Sequence, residues 1–204
     1  MAAPAVLPHA NGFYISDSLP VSAQECTNWY VSIPQAPALS EKILLGTPGY
    51  LELTTTGVLN QINRGAHVKA GVPYFVNGSL LQRLDRTVDA EGVESFSTTS
   101  LGTISGTGRV SMADNGTQLM ILVPGGDGYI YNEASGTPFL QITDVDFVAN
   151  GAPQYVVFLD GYFVVTTDSK KFIVSALNDG LAYNALDFGT AEADPDDIVA
   201  PVVH

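Results

Sequence analysis

The residue types that most often carry out chemistry in proteins, histidine and cysteine, are few and widely spaced in this sequence. The histidines are His9, His67 and His204, and the single cysteine is Cys26. Neither His-x-x-x-His nor Cys-x-x-Cys, the spacings that bring two ligands to one zinc ion, occurs. Each histidine is therefore predicted to be a surface or turn residue, and Cys26 is predicted to be a structural thiol.

One glycine-rich segment resembles the start of a dinucleotide-binding motif. It reads "GTGRVS" at 106–111 and lacks the third glycine of that motif. A strand is predicted to follow it, so the helix N-terminus that would hold a pyrophosphate is missing. Neither the phosphate loop Gly-x-x-x-x-Gly-Lys-Ser/Thr nor the nucleophile elbow Gly-x-Ser-x-Gly occurs. The sequence therefore predicts no nucleotide cofactor and no serine hydrolase site.

Carboxylates are abundant, but their spacing does not define a site. Asp144 and Asp146 alternate on one face of a possible strand end. A glycosidase needs two carboxylates about 5–10 Å apart across a sugar cleft, and such clefts are usually lined by aromatic side chains. The loop "EADPDD" at 192–197 could hold calcium, but it does not follow the EF-hand pattern, and a solvated loop is favoured. We predict that the protein is not an enzyme and binds no metal or cofactor.

The charge balance argues against tight binding of nucleic acid. The sequence has 8 basic and 21 acidic residues, a net charge of −13, and no Lys or Arg before Lys42 or after Lys171. A protein that grips DNA through its phosphates needs a basic face. The acidic excess is interpreted mainly as a solvated, soluble surface. The alternative interpretation is a surface that repels nucleic acid.

A repeat of 45 residues organises most of the chain. Gly71, Gly116 and Gly161 are equally spaced, and each lies in a predicted turn that needs a residue tolerant of positive φ. Asp160 precedes Gly161, and Asn77 and Gly78 form a second predicted turn. The predicted strands after the three glycines are Val72–Val76, Leu119–Val123 and Tyr162–Val165, then Ser79–Gln82, Tyr129–Tyr131 and Phe172–Val174, with looser fourth strands at Glu94–Thr99, Phe139–Thr143 and Tyr183–Phe188.

Four short antiparallel strands repeating every 40 to 50 residues predict an all-β fold with β-propeller-like blades. Residues 51–204 would form about two and a half blades. An irregular β-sandwich is the alternative, with closer turn spacing. A further step of 45 residues passes His204, and "DDIVAPVVH" at its end resembles the first strand of another blade. We therefore expect the chain to end within a blade that a longer protein or another chain completes.

The first 50 residues show little periodicity and are predicted to form an extended N-terminal arm. Its apolar residues include Phe13, Trp29 and Tyr30. These side chains are predicted to pack onto the first blade, and contact with a neighbouring subunit is the alternative.

Several long segments resemble one known family, the tail hub of short-tailed phages, also called the packaged DNA stabilisation protein. The resemblance runs from about residue 17 to the end. The segments are "NWY" at 28–30, "LLGTPGY" at 44–50, "GTGRVSMADNGTQLMI" at 106–121, "VVFLDGYFVV" at 156–165 and "FIVSALNDGLAYNALDF" at 172–188.

This resemblance implies a structural protein of the virion tail, assembled in the host cytoplasm and without catalytic activity. It implies a homo-oligomeric ring, a hexamer in well-known cases, that extends the DNA channel below the portal and its adaptor ring. Such a ring helps to retain the packaged genome until ejection and lets DNA pass without sequence-specific binding. The expected partners are further copies of the chain, the portal-adaptor ring, the tail needle or plug, and tail fibre or spike proteins.

Two other functions fit a β-propeller. A carbohydrate-binding module would place aromatic residues at equivalent repeat positions, but Tyr74, Tyr129 and Tyr162 are not equivalent. A scaffold of the WD type would end its repeats with Trp-Asp, and no repeat does. The resemblance to tail hubs makes a phage tail protein the preferred function.

Overall fold

The structure is a computed structural model that describes residues 28–33, 43–57, 61–191, 198 and 200–203. The chain divides into two compact units, Met1–Glu52 and Leu53–His204. The described residues form fourteen strands and one short 3₁₀ helix, Val145–Phe147. None of the helical residues described forms a segment long and apolar enough to cross a membrane.

The first unit contains a two-stranded antiparallel sheet. Strand β1 (Trp29–Ser32) pairs with β2 (Ile43–Gly46), and the Thr47 amide donates to the Asn28 carbonyl at 2.9 Å. The sequence analysis did not predict this pairing, because the segment has too few residues in alternating apolar and polar order to indicate a strand.

The second unit consists of three four-stranded antiparallel sheets, each built from strands consecutive in sequence. The predicted all-β fold with propeller-like blades is confirmed. The first sheet contains β3 (Asn63–Lys69), β4 (Val72–Asn77), β5 (Leu80–Val88) and β6 (Glu94–Thr103); the second contains β7 (Ser111–Asp114), β8 (Leu119–Leu122), β9 (Gly128–Tyr131) and β10 (Phe139–Gln141); the third contains β11 (Pro153–Leu159), β12 (Tyr162–Thr167), β13 (Lys171–Ala176) and β14 (Asp179–Thr190).

The sequence predicts about two and a half blades, and the described residues contain three four-stranded sheets. The predicted fourth strands Glu94–Thr99 and Tyr183–Phe188 are shorter than β6 and β14. Both strands are long, but many of their residues are exposed and polar. Their sequences therefore contain few of the apolar residues by which a strand is predicted. Residues 198 and 200–203, from the segment expected to begin another blade, lie in no strand.

The hairpins form because the turn residues tolerate left-handed backbone conformations. Ala70 and Gly71 have φ values of 50° and 80°, and Asp160 and Gly161 have 50° and 92°. Two consecutive residues with positive φ define the type I′ turn, whose twist matches that of the flanking strands. Each pair therefore joins its two strands directly, β3 to β4 and β11 to β12.

The second sheet uses a longer connection. Four residues, 115–118, join β7 to β8, and the Asn115 side chain accepts hydrogen bonds from the amides of Thr117 and Gln118 at 3.0 and 2.6 Å. This side chain takes the place of a backbone partner within the turn. Gly116 keeps the 45-residue spacing even though its turn differs from the other two.

The three sheets are stacked, and β8 lies at the centre of the stack. Its residues alternate between two core clusters: Leu119 and Ile121 pack with Tyr74 and Val76 of the first sheet. Met120 and Leu122 pack with the third sheet, in a cluster that also contains Phe163, Val165 and Ile173. Burying each such side chain contributes about 1.5–3 kcal/mol, so both faces of the second sheet stabilise the stack.

The first strands of the three sheets adjoin one another. The Val110 amide, just before β7, donates to the Arg64 carbonyl of β3 at 2.9 Å. The Val156 amide of β11 donates to the Ser111 hydroxyl of β7 at 3.0 Å. The sheets are therefore connected by hydrogen bonds along this line as well as by their apolar faces.

Candidate functional site: the interfaces between the sheets

The predicted turn glycines lie where the chain reverses direction. Gly71, Gly116 and Gly161 have φ values of 80°, 86° and 92°, and Gly78 has 56°. A Cβ atom on Gly161 would lie 2.7 Å from Cδ1 of Leu177, whereas none would meet an atom within 4 Å at Gly71 or Gly116. Asp160 and Gly161 are the two residues of the turn that joins β11 to β12. These residues shape the hairpins and contact no candidate reactive group in the part of the chain described.

Asn77 differs from its prediction as a turn residue. It is the last residue of β4, and its side chain is buried. Its amide nitrogen donates to Gln82 at 3.3 Å, and its oxygen accepts from Asn63 at 3.0 Å. The turn itself consists of residues 78 and 79.

Of the three aromatic residues predicted as possible subunit contacts, the structure describes two. Trp29 and Tyr30 lie in β1, and their exposed fractions are 53% and 45%. Phe13 lies outside the described residues. Whether these residues contact a neighbouring subunit stays a prediction.

Arg64 is the most buried charged residue at the interface between the first and second sheets, with 3% of its surface exposed. Its guanidinium donates only to main-chain carbonyls: Nε to Gly108 at 2.6 Å, Nη2 to Ser105 at 2.7 Å, and Nη1 to Gly78 and Ile104 at 3.0 and 3.4 Å. Burial lowers the pKa of the Arg64 guanidinium. Arg64 thus fixes the loop 104–108 against the first sheet.

His67 forms the second polar contact between these sheets. Its Nε2 lies 2.6 Å from Oδ2 of Asp114, which ends β7. Oδ1 of Asp114 accepts from the Gly116 amide at 2.8 Å, so the carboxylate is held from both sides. The prediction of a surface or turn residue is wrong for His67, because the side chain is partly buried in a strand and pairs with a residue 47 positions away.

Lys69, two residues further along β3, makes the third contact. Its ammonium donates to the Thr117 and Gly116 carbonyls at 3.2 and 3.5 Å and lies 5.9 Å from the centroid of the Tyr74 ring. Alternate residues of a strand point to the same face. His67 and Lys69 therefore both reach the loop 114–118 of the second sheet.

A fourth contact centres on Arg83 of β5. Its Nε donates to Asp85 and its Nη1 to Glu133 of the second sheet, both at 2.6 Å. A hydrogen bond from the Thr99 hydroxyl, followed by the hydrogen bond from Arg83, lowers the pKa of Asp85. Burial and then the charge of Glu133 raise the pKa of Tyr74, whose ring lies beside this cluster.

Among the described residues, the interface between the second and third sheets has fewer charged contacts than the first interface and an apolar core of its own. Gln118 donates to Asp179 at 3.2 Å and accepts from the Gly180 amide at 2.8 Å. Tyr183 is buried, and its hydroxyl donates only to the sulfur of Met120, at 3.9 Å. Burial, together with nearby carboxylates, strongly raises the pKa of Tyr183.

Of the two carboxylates considered as catalytic candidates, that of Asp144 accepts hydrogen bonds from the main chain. Asp144 begins the 3₁₀ helix; its Oδ1 accepts from the Asp146 amide at 2.9 Å and its Oδ2 from the Tyr183 amide at 3.0 Å. Among the described residues, no group of three or more His, Cys, Asp or Glu side chains could hold a metal ion. His9, Cys26, His204 and the loop 192–197 lie outside the described residues.

The sequence analysis missed all of these contacts between sheets. The partners across the first interface lie 40 to 50 residues apart, close to one repeat. A step of one repeat from His67 leads to Met112, two residues from Asp114. Adding 45 to the number of each charged residue of the first sheet would have indicated the segment of the second sheet that contains its partner.

Stacked four-stranded antiparallel sheets, each made of consecutive strands and joined along their first strands, define a protein of the β-propeller class. The family model described as Bacteriophage P22 Gp10, beta-propeller, matches residues 7–203, and the chain belongs to this family of phage proteins. The resemblance noted from the sequence is thereby confirmed. A search of curated proteins found no match.

Proposed function

We propose that this protein is a component of a phage tail hub, where it extends the DNA channel below the portal-adaptor ring and helps to retain packaged DNA. The family match over residues 7–203 carries this proposal, because it assigns a phage structural role. The finer function rests on the sequence resemblance to tail hubs and on the two structural arguments that follow.

Most basic side chains in the described part of the chain form hydrogen bonds or ion pairs within the chain. Arg64 and Lys69 are buried and bonded to carbonyls. Arg83 and Arg86 pair with carboxylates, and Lys171 donates to Asn150. With a net charge of −13, this leaves little free positive charge to hold DNA through its phosphates. Such a surface would let DNA pass through a channel without retaining it by direct contact.

The second argument is an exposed apolar region on the third sheet. A cavity of about 430 Å³ lies on this sheet, lined in part by Tyr162, Phe172, Leu186 and Phe188. Leu186 is 81% exposed and Phe188 is 40% exposed. Large exposed apolar surfaces in soluble proteins often mark contacts with other proteins. This surface supports a role in an assembly.

We further propose the assembly partners that the resemblance implies. Copies of the chain would form a ring, a hexamer in the expected form, which contacts the portal-adaptor ring, the needle or plug, and the fibres or spikes. The ring would be assembled in the host cytoplasm and remain in the virion tail. It would have no catalytic activity.

Mass spectrometry and cryo-electron microscopy of the same purified particles would test this function. We expect peptides of this sequence in intact particles and a ring of propeller density directly below the portal-adaptor ring. Peptides confined to the soluble fraction of infected cells, with particles free of the protein, would contradict a virion role. Density at another virion position would retain the structural role and refute the hub.

A further inference from the structure

We propose that a cavity beneath the loop 105–108 binds a single phosphate group. The cavity has a volume of about 460 Å³, and its lining includes Gln61, Arg64, Ser79, Gly106 and Thr107. This binding site goes beyond the proposed structural role and does not depend on it.

The first reason is that the buried charge of Arg64 has no anionic partner among the residues that the structure describes. The ion pairs among the described residues involve His67, Arg83 and Arg86, but not Arg64. Carbonyl dipoles satisfy four of its hydrogen bonds and compensate its charge only in part. A buried cation is costly without an opposite charge. An anion in the adjoining cavity would supply that charge.

The second reason is the set of donors in the cavity wall. The four bonds from Arg64 use one N–H of Nε, two of Nη1 and one of Nη2, so one of its five N–H groups is left for a ligand. Ser79 and Thr107 add hydroxyls, and Gln61 adds an amide. The described residues of the wall include no carboxylate, and they offer several hydrogen-bond donors and one positive charge.

The third reason is the glycine-rich backbone around the cavity. Gly106 and Gly78 have φ values of 71° and 56°. A Cβ atom on Gly106 would lie 3.6 Å from Nη2 of Arg64, and one on Gly78 would lie 2.7 Å from the Gln61 side-chain oxygen. Side chains at these two positions would narrow the cavity at its polar wall.

These features assign phosphate binding to the segment "GTGRVS". The same segment cannot form a dinucleotide site. A strand, β7, follows this segment, so the structure lacks the helix N-terminus of a dinucleotide site. A single phosphate needs only a cation and a few donors. Arg109, an exposed residue of the same segment, adds a second positive charge close in sequence.

The acidic residue bonded to this loop, Asp127, is occupied by two hydroxyl groups. Oδ2 of Asp127 accepts from the hydroxyls of Ser105 and Tyr129, at 2.8 and 3.2 Å. Asp127 does not line the cavity. It therefore provides no counter-charge to Arg64 within the cavity.

Isothermal titration calorimetry with inorganic phosphate, at constant ionic strength set with chloride, tests the site. We expect saturable binding to the protein and about tenfold weaker binding to Thr107→Val, because the variant loses one hydrogen bond to a charged group. Thr107 is exposed, so this variant should fold normally. Arg64→Lys should weaken binding further, with circular dichroism confirming that it folds.

Arg86→Gln is the matched control, because it removes one positive charge from an exposed arginine of the first sheet that does not line the cavity. Phosphate should bind this variant with unchanged affinity. An absence of saturable binding to the unaltered protein would overturn the proposal, as would equal affinities for the unaltered protein and Thr107→Val. Equal weakening in Arg86→Gln would also overturn it, because this result indicates nonspecific charge attraction.

A competition experiment with a short DNA duplex identifies the source of the phosphate group. Displacement of phosphate by the duplex, lost in Thr107→Val, would assign the cavity to a nucleic-acid backbone. Phosphate binding that the duplex leaves unchanged would assign the cavity to a free phosphate. In both cases phosphate binds in the cavity beside Arg64, and only the source of the phosphate group differs.

Discussion

The two interfaces of the second sheet are built differently. The first interface, with the first sheet, joins apolar residues to a set of charged contacts: Arg64 with carbonyls, His67 with Asp114, and Arg83 with Glu133. The second interface, with the third sheet, depends mainly on aliphatic and aromatic packing around Phe163. Strand β8 contributes alternate residues to both. Alternate residues of a single strand can therefore face two interfaces that are stabilised by different interactions.

The difference has a physical consequence for each interface. Apolar burial stabilises in proportion to area and depends little on pH. Charged contacts add geometric specificity, but their net contribution is smaller and depends on pH. The second interface should therefore be sensitive to the loss of volume, and the first to the loss of individual hydrogen bonds and to acid.

The largest effect is expected at the second interface. Phe163→Ala should lower the free energy of unfolding by about 3–5 kcal/mol, because it leaves a cavity at a side chain that is fully buried. Urea unfolding followed by circular dichroism measures the change. Leu186→Ala, at an exposed position of the same sheet, is the control and should cost far less. Similar losses in both variants would show that Phe163 does not form the centre of this interface.

A smaller effect is expected at the hairpin of the third sheet. Gly161→Val should cost about 1–3 kcal/mol, because a β-branched residue resists a φ of 92°. Gly71→Val, in the matching hairpin of the first sheet, should cost a similar amount. The Leu177 side chain near Gly161 is exposed and can move aside. A Gly161→Val protein that melts like the unaltered protein would mean that this turn is wrongly placed.

Removing one hydroxyl at each interface sharpens the comparison. Tyr129→Phe should cost about 1–2 kcal/mol, because the hydroxyl accepts from the Ser105 amide at 3.1 Å and donates to Asp127. Tyr183→Phe should cost under about 1 kcal/mol, because its hydroxyl meets only a thioether sulfur, a weak acceptor. Thermal unfolding of the two variants provides the measurement. A larger loss of stability in Tyr183→Phe than in Tyr129→Phe would contradict the polar character assigned to the first interface.

The smallest effect is the response of the first interface to acid. The pKa of Asp85 is lowered in the folded protein, so its stabilising contribution is present above the unfolded pKa of about 4 and is lost as the pH falls through the folded value. Asp85→Asn should therefore reduce the loss of stability between pH 5 and pH 2, by under about 1 kcal/mol for this partly exposed pair. Identical pH profiles for both proteins would exclude this contribution.

The sequence predicted the repeat and most strands, because the turn glycines and the apolar strands next to them are local signals. It underestimated β6 and β14, whose outer residues alternate with polar ones. It also missed the pairs of the first interface, because His67 and Asp114 meet only after two sheets have stacked. The cavity beside Arg64 could not be predicted either, because its lining residues are distant in sequence. Only the glycine-rich segment "GTGRVS" was identified from the sequence.

Native-state hydrogen exchange tests most directly the claim that the second sheet is buried between the other two. Because every residue of β8 and β9 is buried, their amides should exchange only through global unfolding and be the slowest in the second unit. Amides at 94–99 in β6 should exchange much faster. Exchange in β8 as fast as in β6 would contradict the stacked arrangement on which this account depends.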